Sequence, residues 1–299
     1  MRLLSEVVAK FLEARTLKGC LPNTLSYYHY TFRLLVCGIH DIPIEHVTVD
    51  DLTAYFAAMR AQTSGTVSGV MSPVTVKKRM LATRALFHFA LERGYVARDV
   101  SLLLALPASG KRKPKALTTA QLLQLLDTSR WTVDEYAVRD YALLLLFVDS
   151  GIRLAELAAL TMDDVNVETC EVHVRHGKGD KERSSVFTAL TARALTAYRP
   201  PFRKNDGLFV DVHGDRVTRR QVYLAVKGRA EQTGLLQVVS PHRLRHTMAV
   251  GYLNNGGRIH ILQMLLGHES IMTTMVYATV ALAGVQRDHM LYSPLRALS

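Results

Sequence analysis

The chain has 299 residues, of which 48% are hydrophobic and 21% charged, the balance of a globular protein with room for two domains. Its net charge of +11 and pI near 9.7 favour a polyanionic partner, nucleic acid first. The longest apolar run, Tyr141 to Val148, is too short to cross a bilayer, and Met1-Arg2-Leu3-Leu4 leads into Ser5-Glu6 without a signal-peptide core. Three cysteines, Cys20, Cys37 and Cys170, have no metal-ligand spacing and fit a reducing cytoplasm.

The first half reads as helices. Leu3 to Ala14 is amphipathic, and Pro22-Asn23-Thr24 opens a second helix through about Val36. Thr48-Val49-Asp50-Asp51 is a cap before Leu52 to Met59. A loop rich in Thr, Ser and Gly begins at Thr63, and Ser72-Pro73 opens a long helix that Gly94 stops near Arg93. Lys77, Lys78, Arg79 and Arg84 decorate that helix, as a groove-binding face or a solvated one. Residues 107–115, Pro-Ala-Ser-Gly-Lys-Arg-Lys-Pro-Lys, hold more than a third of the net charge. The segment reads as a linker whose Lys111, Arg112, Lys113 and Lys115 track a phosphate backbone, or as a solvated hinge. The expected organisation is a helical domain over 1–106, the linker, a catalytic domain over 116–283 and a tail over 284–299.

The second half is mixed. Thr118-Thr119-Ala120-Gln121 is a capping box for a helix to Leu126, and Val138 to Val148 is apolar nearly all round, a buried helix. Gly151 stops it, Arg153 follows, and a new helix places Glu156 one turn on. Alone, Arg153 and Glu156 read best as a structural pair. Glu171 to Arg175 and Ser184 to Phe187 alternate as strands, joined by a Gly177-Lys178-Gly179-Asp180 turn. Lys178 at that tip is a mobile ammonium or an ordinary solvated lysine, with Lys181 and Arg183 as competitors. From Phe187 onward the pattern is helical.

Ser240-Pro241 marks a helix start, with His242 and Arg245 one turn apart near its positive end, where anions bind. Arg243 lies between them as a candidate phosphate contact. His-x-x-Arg is a weak pattern, because His213-Gly-Asp-Arg216 matches it too, in a polar turn. His246 reads as structural. Gly267 ends a helix with Ile259, Leu262, Leu265 and Leu266 on its buried face, which sets His268 at the break. Ser270 caps the next helix, with Tyr277 two turns in and Tyr292 a second candidate nucleophile. An Arg pair, two His, a Lys and a Tyr are what metal-free attack on a phosphodiester requires: guanidinium groups neutralise the anion and bases activate the phenol.

Taken together, Ser150-Gly-Ile-Arg-Leu-Ala-Glu156, Gly177-Lys-Gly-Asp-Lys-Glu-Arg183, His242-Arg-Leu-Arg-His-Thr247, Leu266-Gly-His-Glu-Ser270 and Thr273-Thr-Met-Val-Tyr277 resemble the tyrosine recombinases, or phage integrase family, in the family's order. The resemblance covers residues 116 to about 283 strongly and the helical first half more loosely. It departs at Arg98-Asp99-Val100, where Asn-Pro is common, and after Tyr277, where Ala-Thr replaces the frequent Thr-His.

The resemblance implies a mainly α fold with a small antiparallel sheet: a core-type DNA-binding domain followed by a mixed α/β catalytic domain. It implies a compact, Xer-like or transposon-type recombinase with no separate arm-binding domain. By the same resemblance Tyr277 attacks DNA to form a 3′-phosphotyrosyl bond without metal, ATP or cofactor. Arg153 and Arg245 hold the non-bridging oxygens, Lys178 is the general acid, His242 assists proton transfer with Tyr277, and His268 donates to the phosphate. Glu156 orients its neighbours. The implied partners are two DNA duplexes bound by a homotetramer, with accessory proteins an open question and no membrane. A type IB topoisomerase and a DNA-binding regulator with a vestigial site are the competing readings.

Overall fold

The computed structural model describes residues 1–61, 71–107, 115–175, 182–198, 200, 204–279 and 281–292. The chain divides into two compact units, Met1–Arg112 and Lys113–Ser299.

The first unit contains α1 (Leu4–Leu17), α2 (Pro22–Gly38), α3 (Val49–Ala61) and α4 (Pro73–Glu92). Their starts follow the residues that satisfy orphan backbone groups. At α3, Asp51 N donates to Thr48 Oγ1 (3.1 Å) while Thr48 N donates to Asp51 Oδ2 (2.9 Å). At α4, Ser72 Oγ accepts from Thr75 N at 3.2 Å. Gly94, just past the end of α4, takes φ +67°. Burial of Phe11, Phe32, Leu35, Leu52, Leu86 and Phe87 joins the four helices. Phe11 meets Tyr28, Phe32 and Phe89 edge-on at 5.1, 5.3 and 5.5 Å between ring centroids.

The basic residues of α4 divide by burial. Lys78 is exposed and Lys77 half-buried. Arg79 is buried, its Nη1 donating to Met59 Sδ at 3.4 Å and its guanidinium lying 5.4 Å from the Tyr30 ring. Arg84 donates to the carbonyls of Ser101, Leu102 and Leu104 at 3.2, 3.3 and 2.7 Å, tying α4 to the segment that follows it. Carbonyls of a returning segment therefore occupy one of the donors expected to face solvent. Lys115 is exposed, and Lys111, Arg112 and Lys113 lie outside the described residues.

The second unit contains α5 (Thr119–Leu126), α6 (Ala137–Ser150), α7 (Leu154–Ala159), α8 (Ala189–Ala197), α9 (Arg219–Gln232), α10 (Pro241–Asn254), α11 (Ile259–Leu266), α12 (Ile271–Ala278) and α13 (Leu282–Tyr292). A sheet of β1 (Val165–Asn166), β2 (Glu171–Val174) and β3 (Arg183–Val186), antiparallel in the order β1-β2-β3, lies between α7 and α8 in sequence. The register pairs Val172 with Ser185 and Val174 with Arg183. The expected strands sit within one residue of β2 and β3, and the two-residue β1 adds an edge. The fold is that of the mainly α, small-sheet class. Residues 143–147 of α6, every one buried, form the axis of the core.

A buried ionic cluster braces the core at one end. Asp140 accepts from Arg139 Nη2 (2.8 Å) and Arg229 Nε (2.9 Å), and Arg229 Nη2 reaches Asp134 at 2.6 Å. His213 and Arg216 fall in a loop, where Arg216 pairs with Asp206. Helix α13 packs on α10 of its own chain: Gly284 N donates to Asn254 Oδ1 (3.3 Å) and Arg287 Nη1 to Asn254 O (2.8 Å).

Candidate active site

Four local signals place the site. Gly151, at φ +62°, ends α6 and releases Arg153 as the residue capping α7. Ser240 Oγ accepts from Arg243 N at 3.3 Å and Pro241 fills the first turn of α10, which carries His242 and Arg245. Gly267, at φ +63°, ends α11 and turns the chain at His268. Ser270 Oγ accepts from Met272 N at 3.3 Å, starting α12 with Tyr277 near its end.

These turns bring Arg153, His242, Arg245, His268 and Tyr277 to one cleft of about 510 Å³, also lined by Phe147, Leu154, Tyr223 and Thr273. His242 is exposed at its rim. Lys178 lies outside the described residues. Arg243 points away from this function: its Nε donates to Lys115 O and its Nη1 to Val238 O (2.7 Å).

Glu156 anchors the arginine arrangement. Its side chain is only 3% exposed. It accepts from Arg153 N (2.7 Å) and Arg153 Nη1 (2.7 Å), and from Arg183 Nη1 (3.0 Å) and Nη2 (2.6 Å). Burial pushes its carboxyl pKa up, but the Arg183 and Arg153 bonds outweigh that and hold it at about 2. Arg153 Nη2 also reaches Gly267 O at 3.3 Å, and Arg183 Nε reaches Leu265 O at 3.1 Å. One carboxylate thus fixes two guanidinium groups from different elements.

Arg245 is held differently. It is 6% exposed and contacts no carboxylate among the described residues. Its Nη1 donates to Gly151 O, and its Nη2 to Leu266 O (2.7 Å) and His268 Nε2 (3.2 Å). Burial, then the charge of Arg153, lowers its pKa to about 10, so it stays a cation at neutral pH.

His268 is held by Gln263, which exchanges backbone and side-chain bonds with it (3.1 and 3.0 Å). Its Nδ1 lies 2.9 Å from Thr274 Oγ1. Burial, followed by the fields of Arg245, Arg153 and Arg183, lowers its pKa to about 4, leaving it neutral at physiological pH.

Tyr277 is 7% exposed, its ring stacked on His268 at 6.1 Å and tilted against His246 at 5.1 Å. Among the described residues its hydroxyl has no hydrogen-bond partner. By sequence His246 reads as structural. In the fold it is 1% exposed and forms one wall against the Tyr277 ring. By sequence Arg183 is only a competitor of Lys178. Its signal was the arginine that closes the strand motif, but the Glu156 contact spans 27 residues and local pattern does not show it.

The arrangement is a cationic anion pocket beside a phenol. Among the described residues no group of His, Cys, Asp or Glu is placed to hold a metal. Residues 115–283 match the phage integrase family. The chain is 30% identical over 297 residues to a tyrosine recombinase XerD of Mycobacterium tuberculosis, covering 94% of each chain. It is similar in fold to the Tn1549 transposon integrase in complex with transposon right end DNA, with a TM-score of 0.75 at 17% identity, covering 98% of this chain and 100% of that one. It is likewise similar to a lambda integrase tetramer bound to a Holliday junction, with a TM-score of 0.73 at 15% identity, covering 90% and 78%.

Proposed function

Given that the chain belongs to the phage integrase family and is a tyrosine-type site-specific recombinase, we propose that Tyr277 is its nucleophile and the pocket beside it the seat of the scissile phosphate. The observation that carries this reading is that Arg153, Arg245, His268 and Tyr277 line one cleft, with the His268 ring stacked on that of Tyr277. Tyr277 Oη attacks phosphorus, the bond to the 5′-oxygen breaks, and a 3′-phosphotyrosyl ester holds the strand end. Bond energy is conserved in that ester, so the freed 5′-hydroxyl of a partner strand reverses the step without ATP.

Arg153 and Arg245 bind the non-bridging oxygens and gain strength as charge develops there. Lys178 protonates the departing 5′-oxygen, and exposed His242 accepts the phenol proton. His268 borders the phosphate seat through Arg245. The active species is a homotetramer that joins two duplexes in the cytoplasm, and the segment from residue 284 docks on a neighbouring subunit once α13 leaves its own α10. Lys78 and Lys115, both exposed, contact the DNA backbone.

A nicked suicide substrate tests the reading. Wild-type protein traps a covalent adduct whose peptide maps to Tyr277, and Tyr277→Phe binds the same DNA without trapping it. An adduct that persists in that variant moves the nucleophile, to Tyr292 first. Synapsis by a chain ending at Ala283 tests the docking segment, and undiminished tetramer assembly refutes it. Product topology on two-site DNA separates recombination from single-duplex relaxation.

A further inference from the structure

We propose that Arg183 is a positioning residue for the phosphate-binding arginines. It fastens the C-terminus of α11 to Glu156, so that three successive carbonyls, those of Leu265, Leu266 and Gly267, hold Arg183, Arg245 and Arg153 as one set. The proposal rests on the reading of Arg153 and Arg245 as phosphate ligands.

Every carbonyl from Gln263 to Gly267 has a partner. The last carbonyls of a helix have none within it, and their partial negative charge attracts cations. The turn at Gly267 takes two of them: Gly267 N donates to Met264 O (3.0 Å) and His268 N to Gln263 O (3.1 Å). The next three go to side chains from three other elements. Arg183 Nε, at the start of β3, donates to Leu265 O (3.1 Å). Arg245 Nη2, from α10, donates to Leu266 O (2.7 Å), and Arg153 Nη2, at the cap of α7, to Gly267 O (3.3 Å). Gly267 also lets Arg183 lie close, since a Cβ there would stand 2.7 Å from Arg183 Cδ and 2.9 Å from its Nε.

Arg183 differs from the other two arginines in where it sits. Arg153 and Arg245 line the cleft, and Arg183 does not. Its side chain is 10% exposed, and its Nη1 and Nη2 grip the two Glu156 oxygens at 3.0 and 2.6 Å. The same carboxylate holds Arg153 N and Nη1. Arg183 therefore closes a ring of contacts through Glu156, Arg153, Gly267 and α11, and it joins α7, β3 and α11 without facing the phosphate. A planar fork spans a carboxylate and a carbonyl at once, whereas an ammonium of the same charge is a single point. Loss of the fork frees the end of α11, and with it the Leu266 and Gly267 carbonyls that aim Arg245 and Arg153.

Arg183→Lys keeps the charge and removes the fork, so it separates position from electrostatics. At saturating nicked substrate, with rates taken on the DNA-bound fraction, this variant is expected to cleave at least about tenfold more slowly while DNA affinity stays within about twofold of wild type. A substrate with methyl in place of one non-bridging oxygen is neutral at the scissile linkage and asks less of the arginines, so there the gap is expected to shrink to within about threefold. Sulfur in the 5′-bridging position relieves only the proton donor, and on that substrate the gap should persist. A loss smaller than about tenfold overturns the proposal, as does a gap that stays above about threefold on the methyl substrate or falls below it on the sulfur one. Wild type supplies an arm that needs no variant. With ¹⁵N-arginine labelling of the full chain, the Arg183 Nε–H, assigned through its own backbone amide, should exchange slowly with water. A freely exchanging Nε–H overturns the proposal even where the lysine variant does not fold. Absence of any adduct at Tyr277 in wild type is failure of the proposed function instead, and leaves the exchange measurement standing.

Discussion

Replacing Glu156 by Gln removes the charge that fixes Arg153 and Arg183 while keeping the volume. The carboxylate is 3% exposed and accepts four hydrogen bonds from those two arginines. Its pKa falls from an ordinary 4.5 to about 2 in the fold. At about 1.4 kcal/mol per unit, that displacement corresponds to roughly 3 kcal/mol, the same order as breaking a buried ion pair by removing one partner. For a unit of this size the unfolding midpoint should drop by roughly 6–12 °C. The sign with pH is fixed. A depressed carboxyl stabilises the fold above its unfolded pKa of 4.5, and that contribution disappears as pH falls towards about 2. The gap between wild type and Glu156→Gln, followed by calorimetry or circular dichroism, should therefore be full at pH 7 and shrink below about 4.5. Cleavage should fall as well, because Arg153 loses its anchor. A variant melting within about 2 °C of wild type at pH 7 refutes this account of the pair.

Gly267→Ala should lose about 1–2 kcal/mol from the left-handed conformation alone. Its added Cβ would also lie 2.7 Å from Arg183 Cδ, so cleavage should fall alongside the melting temperature. Lys178→Met should lower cleavage of ordinary DNA by about 10²–10⁴-fold and recover most of it on a substrate with sulfur in the 5′-bridging position, since a thiolate leaves without a proton. Recovery absent on the sulfur substrate removes Lys178 from the acid role. Asp140→Asn should destabilise the second unit by about 3 kcal/mol, since Arg139 and Arg229 keep their charges in the core. Its folded fraction should cleave at the wild-type rate, because this cluster shares no residue with the cleft, and a specific rate defect contradicts that separation.

The parts legible in sequence were those written in local chemistry. Gly151 and Gly267 announced helix ends, Ser240-Pro241 and Thr118-x-x-Gln121 announced helix starts, and these fixed where Arg153, His268 and Arg245 sit. Relations between elements were not legible. Arg84 is a surface candidate by pattern, yet its acceptors are carbonyls 17 to 20 residues away. His246, one residue from Arg245, belongs to another face of an isolated helix. The packing of α12 against α10 brings the Tyr277 ring to it all the same. Glu156 and Arg153 read as a structural pair, which they are. The second guanidinium on the same carboxylate needed β3 in place beside α11.

The charge of the pocket follows from that second guanidinium. Arg153, Arg183 and Arg245 bring three positive charges and Glu156 removes one, while His268, with a pKa of about 4, adds none at neutral pH. The fixed core of the pocket therefore carries two positive charges. A phosphodiester carries one negative charge at rest and approaches two as the phenolate oxygen adds to phosphorus. Matching the second value rather than the first is what lowers a barrier, because uniform attraction to the resting diester strengthens binding without raising the rate. Neutralising Glu156 raises the fixed charge to three and tightens the hold on resting DNA. A protonated His268 would do the same and would also set a cation against Arg245. On this argument the buried carboxylate and the depressed imidazole serve one end, and Glu156→Gln should bind uncleaved DNA at least as tightly as wild type while cleaving it more slowly.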